Sequence, residues 1–161
     1  MTNTATHQWH KDPDGDGITH IWISPNGKTE LGRMLYIGSY RPFHHPRDGY
    51  FASIFAYWVW LGSSRKEDSI RDLHHDNSIR SSLAGMQDTQ VSRTKICEAL
   101  NYSIEQNELL RNLLYQSKLP FAIYEVIEYD PNQKPIAFEL PGRDWYVNEI
   151  ENIRHRLQTQ G

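Results

Sequence analysis

Apolar positions fall into their clearest helical rhythm in the second half of the chain. Ile96, Leu100 and Ile104, then Leu109, Leu110, Leu113 and Leu114, recur near three- and four-residue spacing, which predicts a helix over 92–116. A second stripe of Val147, Ile150, Ile153 and Leu157 predicts an amphipathic helix over 146–157. Between them, 121–129 reads as a strand, Asp130-Pro-Asn-Gln133 as a turn and 135–140 as an antiparallel return. Upstream, Ser53 is placed to cap a helix over 54–61 that Gly62-Ser-Ser64 stops. Aromatic residues surround that helix on every side, so it should be central. Two short helices are expected over 68–73 and 77–84, the second ended by Gly85. The imperfect alternation of Ile18-Thr-His-Ile-Trp-Ile-Ser24 before Pro25-Asn-Gly27 suggests a strand closed by a turn, and 34–38 a second strand or a buried connection. Residues 1–17 are polar and end in the turn cluster Asp12-Pro-Asp-Gly-Asp-Gly17, where a loose arm is expected. The pattern is that of a mainly α chain with a few short β-strands, an α+β fold with one domain over 18–158.

Composition narrows the class. The 161 residues can bury a real core, and 12% aromatic content supplies much of it despite a mean hydropathy of -0.70. A net charge of -3 gives no general attraction to nucleic acid or anionic membranes, although a local basic patch stays open. No stretch approaches the ~20 apolar residues of a membrane span, and the first residues lack the apolar core of a secretory leader. The lone Cys97 excludes an intrachain disulfide and a cysteine-based zinc site, so a reducing, cytoplasmic setting is expected.

Four groupings bear on chemistry. The alternating carboxylates of Asp12-Pro-Asp-Gly-Asp-Gly17 resemble the start of a calcium loop, but Ile23 stands where the bidentate Glu belongs, and a solvated turn is the other reading. His44-His45 and His74-His75-Asp76 could converge on a metal, though adjacent histidines point apart and neither pair has helical ligand spacing; no metal or cofactor is assigned. Among the dense aromatics, Trp58 and Trp60 read as core, whereas Tyr50 and Phe51, beside Arg41, Arg47 and Asp48, read as a pocket wall. Arg143-Asp144-Trp145 opens the last helix, where Asp144 is either an N-cap or part of an anion or ribose site.

Taken in order, Lys28-Thr-Glu-Leu-Gly-Arg33, Pro42-Phe-His-His-Pro-Arg-Asp-Gly-Tyr-Phe51, Ser53-Ile-Phe-Ala-Tyr-Trp58, Ile70-Arg-Asp-Leu-His74 and the closing Asp144-Trp145 with Ile150-Glu-Asn-Ile-Arg154 resemble the NADAR family, particularly its phage-encoded branch. The resemblance spans about residues 18–158. It implies a compact helical domain whose cleft takes an ADP-ribose-like or N-ribosyl ligand, since members are N-glycosidases acting on early riboflavin intermediates or on ADP-ribose attached to guanine. Such hydrolysis needs a carboxyl group to protonate the leaving nitrogen or activate water as the ribosyl centre becomes cationic.

Two departures stand out. The family carries a Glu two residues after the Ser that matches Ser53, and here that position is Phe55. Its Ser-Asn-Phe-like stretch is here Tyr36-Ile37-Gly38. The resemblance therefore implies a divergent member with a nucleotide pocket, catalytically impaired, acting by binding a ligand or a host protein in a phage setting. A working N-glycosidase is the alternative, with Asp48 or Asp144 as the substitute acid. A structural protein using its aromatic surface in homo-oligomer contacts is the third. The ligand-binding candidates are Arg33, Tyr36, Arg41, Arg47, Tyr50, Phe55, Arg80, Arg143 and Trp145. Arg33 could equally serve only as the partner of a surface acid.

Overall fold

The computed structural model describes residues 12–75, 87–124 and 144–160, and the backbone alone of 125–129 and 135–139. Its elements in chain order are β1 (Ile21–Trp22), α1 (Glu30–Leu35), β2 (Phe43–His45), β3 (Gly49–Phe51), α2 (Ile54–Gly62), α3 (Gln90–Glu105), α4 (Glu108–Gln116), β4 (Phe121–Ala122), β5 (Tyr124–Tyr129), β6 (Pro135–Glu139) and α5 (Asp144–Gln160). Short 3-10 turns lie at Pro13–Gly15 and Asp68–Asp72. The fold is mainly α with short strands. Its chain divides into two compact units, Met1–Leu35 with Gln116–Gly161, and Tyr36–Tyr115.

In the first unit β1 runs parallel to β4, and β5 pairs antiparallel with β6. Of the segment expected to be a loose arm, residues 1–11 lie outside the described chain, while Pro13 and Asp16 are buried. Buried Asp16 explains the difference: its Oδ1 accepts the Trp22 amide at 2.9 Å and its Oδ2 the Lys28 amide at 2.7 Å. A carboxylate spent on two backbone donors is a structural clamp rather than a surface turn. Residues 34–38 form no strand. Thr29 accepts the Gly32 amide through Oγ1 at 2.9 Å and the Arg33 amide through its carbonyl at 3.2 Å, which starts α1 instead. Leu31 and Leu35, one turn apart, bury its inner face. The Trp22 and Tyr124 rings stack at 4.9 Å, and the Trp22 indole donates to the Tyr124 carbonyl at 2.9 Å. Tyr146 of α5 donates to the Leu35 carbonyl at 2.6 Å.

In the second unit α2 is the centre, as its all-round aromatic pattern predicts: Ile54 to Val59 are all buried. Ser53 caps it, with Oγ accepting the Ala56 amide at 3.0 Å while donating to the Leu73 carbonyl at 2.6 Å. The single helix expected over 92–116 is two helices. Gln106 closes α3, and Asn107 restarts the chain by accepting the Leu110 amide through Oδ1 at 2.9 Å. A reciprocal cap between Thr89 and Ser92 opens α3 two residues earlier than the apolar pattern marks. The helix expected over 77–84 lies outside the described residues, and the one over 68–73 is the 3-10 turn.

Candidate functional site

The most organised polar cluster grows out of the β2–β3 hairpin. Phe43 pairs with Phe51, His44 with Tyr50 and His45 with Gly49, leaving Pro46, Arg47 and Asp48 as the turn. Alternation along β2 sends Phe43 and His45 inward and His44 outward. Gly49 has φ +90°, a conformation that L side chains rarely adopt, and it lets the chain re-enter the ladder directly after Asp48. The Arg71 guanidinium fastens the hairpin from outside, donating to the Asp48 carbonyl at 2.6 Å and the Tyr50 carbonyl at 3.1 Å. It lies 4.8 Å from the Phe51 ring centroid and 5.0 Å from that of Trp60.

Inside the turn, the buried His45 ring is held at both nitrogens. Nδ1 accepts the amides of Arg47 and Asp48, each at 3.1 Å. The ring hydrogen is therefore on Nε2, which donates to Glu98 Oε1 of α3 at 2.9 Å. Glu98 is held below the usual carboxylate range, chiefly by that hydrogen bond, which outweighs desolvation, with the Arg47 charge adding to it. Arg47 Nη2 reaches the same oxygen at 3.3 Å.

Asp48 is positioned from the other side. Buried Tyr57 of α2 donates its hydroxyl to Asp48 Oδ2 at 2.8 Å, and the Tyr57 ring stacks on His45 with centroids 5.3 Å apart. Burial, followed by the Asp48 hydrogen bond, raises the Tyr57 phenol far above its ordinary value, so it remains a donor. Asp48 keeps 15% side-chain exposure and Arg47 60%. The turn thus presents one fixed acid and one solvent-facing cation.

The candidate residues divide sharply by environment. Asp48, Arg47 and Tyr50 belong to this hairpin, with half-buried Tyr50 and exposed His44 packed ring against ring at 5.7 Å on its outer face. Arg41 does not line a surface: it is buried, and its Nε donates to Ser103 Oγ at 2.6 Å, bracing the hairpin's lead-in against α3. Phe55 is only 6% exposed in the first turn of α2, and Phe51 is fully buried behind the hairpin, so both are core residues and neither walls a pocket. Tyr36 is half-buried, edge-on to His75 at 5.8 Å.

Arg33, Asp144 and Trp145 lie in the other unit. Exposed Arg33 donates to the Gly27 carbonyl at 2.8 Å, which accounts for it as a brace on the Pro25–Gly27 turn. Asp144 is exposed at the first position of α5, where a negative charge favours the helix start, and half-buried Trp145 lies edge-on to Tyr146 at 5.9 Å. Arg80 and Arg143 lie outside the described residues. Among the described residues, no group of three or more His, Cys, Asp or Glu side chains is arranged to hold a metal ion, and no helix is long and apolar enough to cross a membrane.

Sequence reasoning weighed His45 only as a metal ligand and missed the roles of Tyr57, Glu98 and Arg71. The Phe43-x-His45 alternation could have marked His45 as inward-facing; nothing local marks Glu98, which lies 53 residues away on another element. No family model matches the chain, and neither a curated protein nor a solved structure does.

Proposed function

We propose that this chain binds a nucleotide of the ADP-ribose type at the Arg47–Asp48 turn and has lost the hydrolysis that the NADAR resemblance implies. The observation that carries this reading is Phe55, a buried apolar ring in the first turn of α2 at the position where the family's carboxyl group is expected. Loss of a general acid or base costs roughly 10²–10⁴ in rate, which turns a hydrolase into a binder while leaving its scaffold intact. Arg47 supplies a solvent-facing guanidinium suited to phosphate, Asp48 a fixed acceptor suited to ribose hydroxyls, and Tyr50 an aromatic face.

One observation favours a second reading, that of an active N-glycosidase. Asp48 is partly exposed and aimed by the Tyr57 hydroxyl at 2.8 Å, the kind of fixed carboxylate that such a reaction requires. Calorimetric titration with ADP-ribose and NAD, followed by product analysis, separates the two. Binding without products supports the first; turnover abolished by Asp48→Asn supports the second. No binding and no turnover overturns both.

A further inference from the structure

The His45 ring touches both residues of the proposed ligand turn through their backbones, and its hydrogen-bonding capacity is fully used. A neutral imidazole has one donor and one acceptor. Here the acceptor, Nδ1, is shared by two consecutive turn amides, and the donor, Nε2–H, is taken by Glu98. The opposite tautomer would aim an N–H at two other N–H groups. Glu98 therefore selects the tautomer, and the tautomer keeps the turn closed.

We infer that His45 and Glu98 form a positioning pair that sets Arg47 and Asp48 for ligand, an inference that rests on the reading of this turn as the ligand site. The pair acts through the backbone, since Nδ1 meets the two amides, while the Asp48 carboxylate is aimed separately by Tyr57. Arg47 completes the link by approaching the Glu98 oxygen that receives the His45 hydrogen. α3 and the hairpin are joined a second time when the Gln106 amide group accepts from the His44 amide and donates to the His44 carbonyl, each at 2.8 Å. That second tie holds β2 in place without touching the turn. It separates the position of the strand from the conformation of residues 46–48.

The test uses the intact chain and two substitutions that each keep half of the imidazole's hydrogen bonding. In His45→Asn the shorter amide oxygen can still accept from the turn amides; in His45→Gln the longer amide can still donate to Glu98. Nitrogen NMR of the native protein should find the His45 hydrogen on Nε2. Amide exchange at Arg47 and Asp48 should stay slow in His45→Asn and quicken about tenfold in His45→Gln, as expected for loss of a hydrogen bond. Glu98→Gln, which keeps an acceptor, should leave both amides protected. A hydrogen on Nδ1, or native-like protection in His45→Gln, overturns the pair whether or not any ligand binds.

Titration with ADP-ribose provides the second arm. His45→Gln should weaken binding about tenfold, yet add little to Asp48→Ala, because both act through the same turn. Additive losses overturn the positioning role. If native protein fails to bind ADP-ribose while the amides behave as expected, the ligand assignment fails and the closed turn stands.

Discussion

Tyr57 and Asp48, nine residues apart, meet through a 2.8 Å hydrogen bond that joins the core helix α2 to the tip of the β2–β3 turn. The phenol is buried and the carboxylate is partly exposed, so the contact carries the order of the core out to a solvent-facing acid. Tyr57→Phe removes the donor and retains the ring. We expect a loss of about 1.5–3 kcal/mol, the range for a hydrogen bond to a charged group, and weaker ligand binding. Asp48→Asn keeps an acceptor for Tyr57 and should cost less stability. Denaturant unfolding of both variants checks the order, and equal stability of Tyr57→Phe and native protein would refute it.

Phe55→Glu restores the carboxyl group that the resemblance leads one to expect, but at a buried position. At neutral pH it should destabilise by about 3–5 kcal/mol through lost packing and an uncompensated charge. Burial raises a carboxyl pKa in the folded state above its unfolded value. The folded form is therefore favoured below the unfolded value and loses that advantage as pH rises, so the deficit should grow from pH 4 to pH 7. Thermal unfolding across that range measures it. The same variant, assayed on ADP-ribosylated guanosine, should gain cleavage if the rest of the site is family-like; unchanged inactivity counts against that likeness.

Gly32→Ala should reverse the usual helix preference. Replacing an interior helix glycine by alanine ordinarily stabilises by about 1 kcal/mol. At Gly32 the added methyl would collide with the Trp22 carbonyl oxygen, a backbone atom of the adjoining segment. We expect a loss of stability instead, read by denaturant midpoint, with any gain showing that β1 shifts freely away from α1.

Alkaline pH should expose the buried phenols. Tyr57 and Tyr124 both lie well above the ordinary tyrosine range, chiefly through burial, aided at Tyr57 by Asp48 and at Tyr124 by the charges of Asp16 and Asp12. A raised folded-state value favours the protonated form in the fold. Its contribution is whole below the unfolded value of about 10 and is lost as pH rises through the folded value. Tyrosinate absorbance from these residues should appear only together with unfolding. Reversible ionisation of both near pH 10 in folded protein would contradict the burial argument.

Some of these features were legible in the chain and others were not, for a consistent reason. Ser53 ahead of an aromatic run determined α2 and its central position, because a cap and an all-round apolar circumference are local properties. The antiparallel β5–β6 pair was likewise readable from strand, turn, strand. The break between α3 and α4 was not, since apolar spacing continues across it and the decision belongs to Asn107 as a cap. Residues 34–38 read as a strand or a buried connection until Thr29 is counted as a helix start that carries the chain in helix to Leu35. The candidate site follows the same division. Asp48, Arg47 and Tyr50 stand out by composition, as polar and aromatic residues in a turn-rich segment. Arg41 looks equally exposed in sequence but is buried, its guanidinium bonded to Ser103 of α3, 62 residues away. Tertiary structure alone brought Glu98 to His45, chose the imidazole tautomer and set Tyr57 against Asp48. Local order depends on neighbours along the chain, whereas a hydrogen-bonded site depends on which distant surfaces the core forces together.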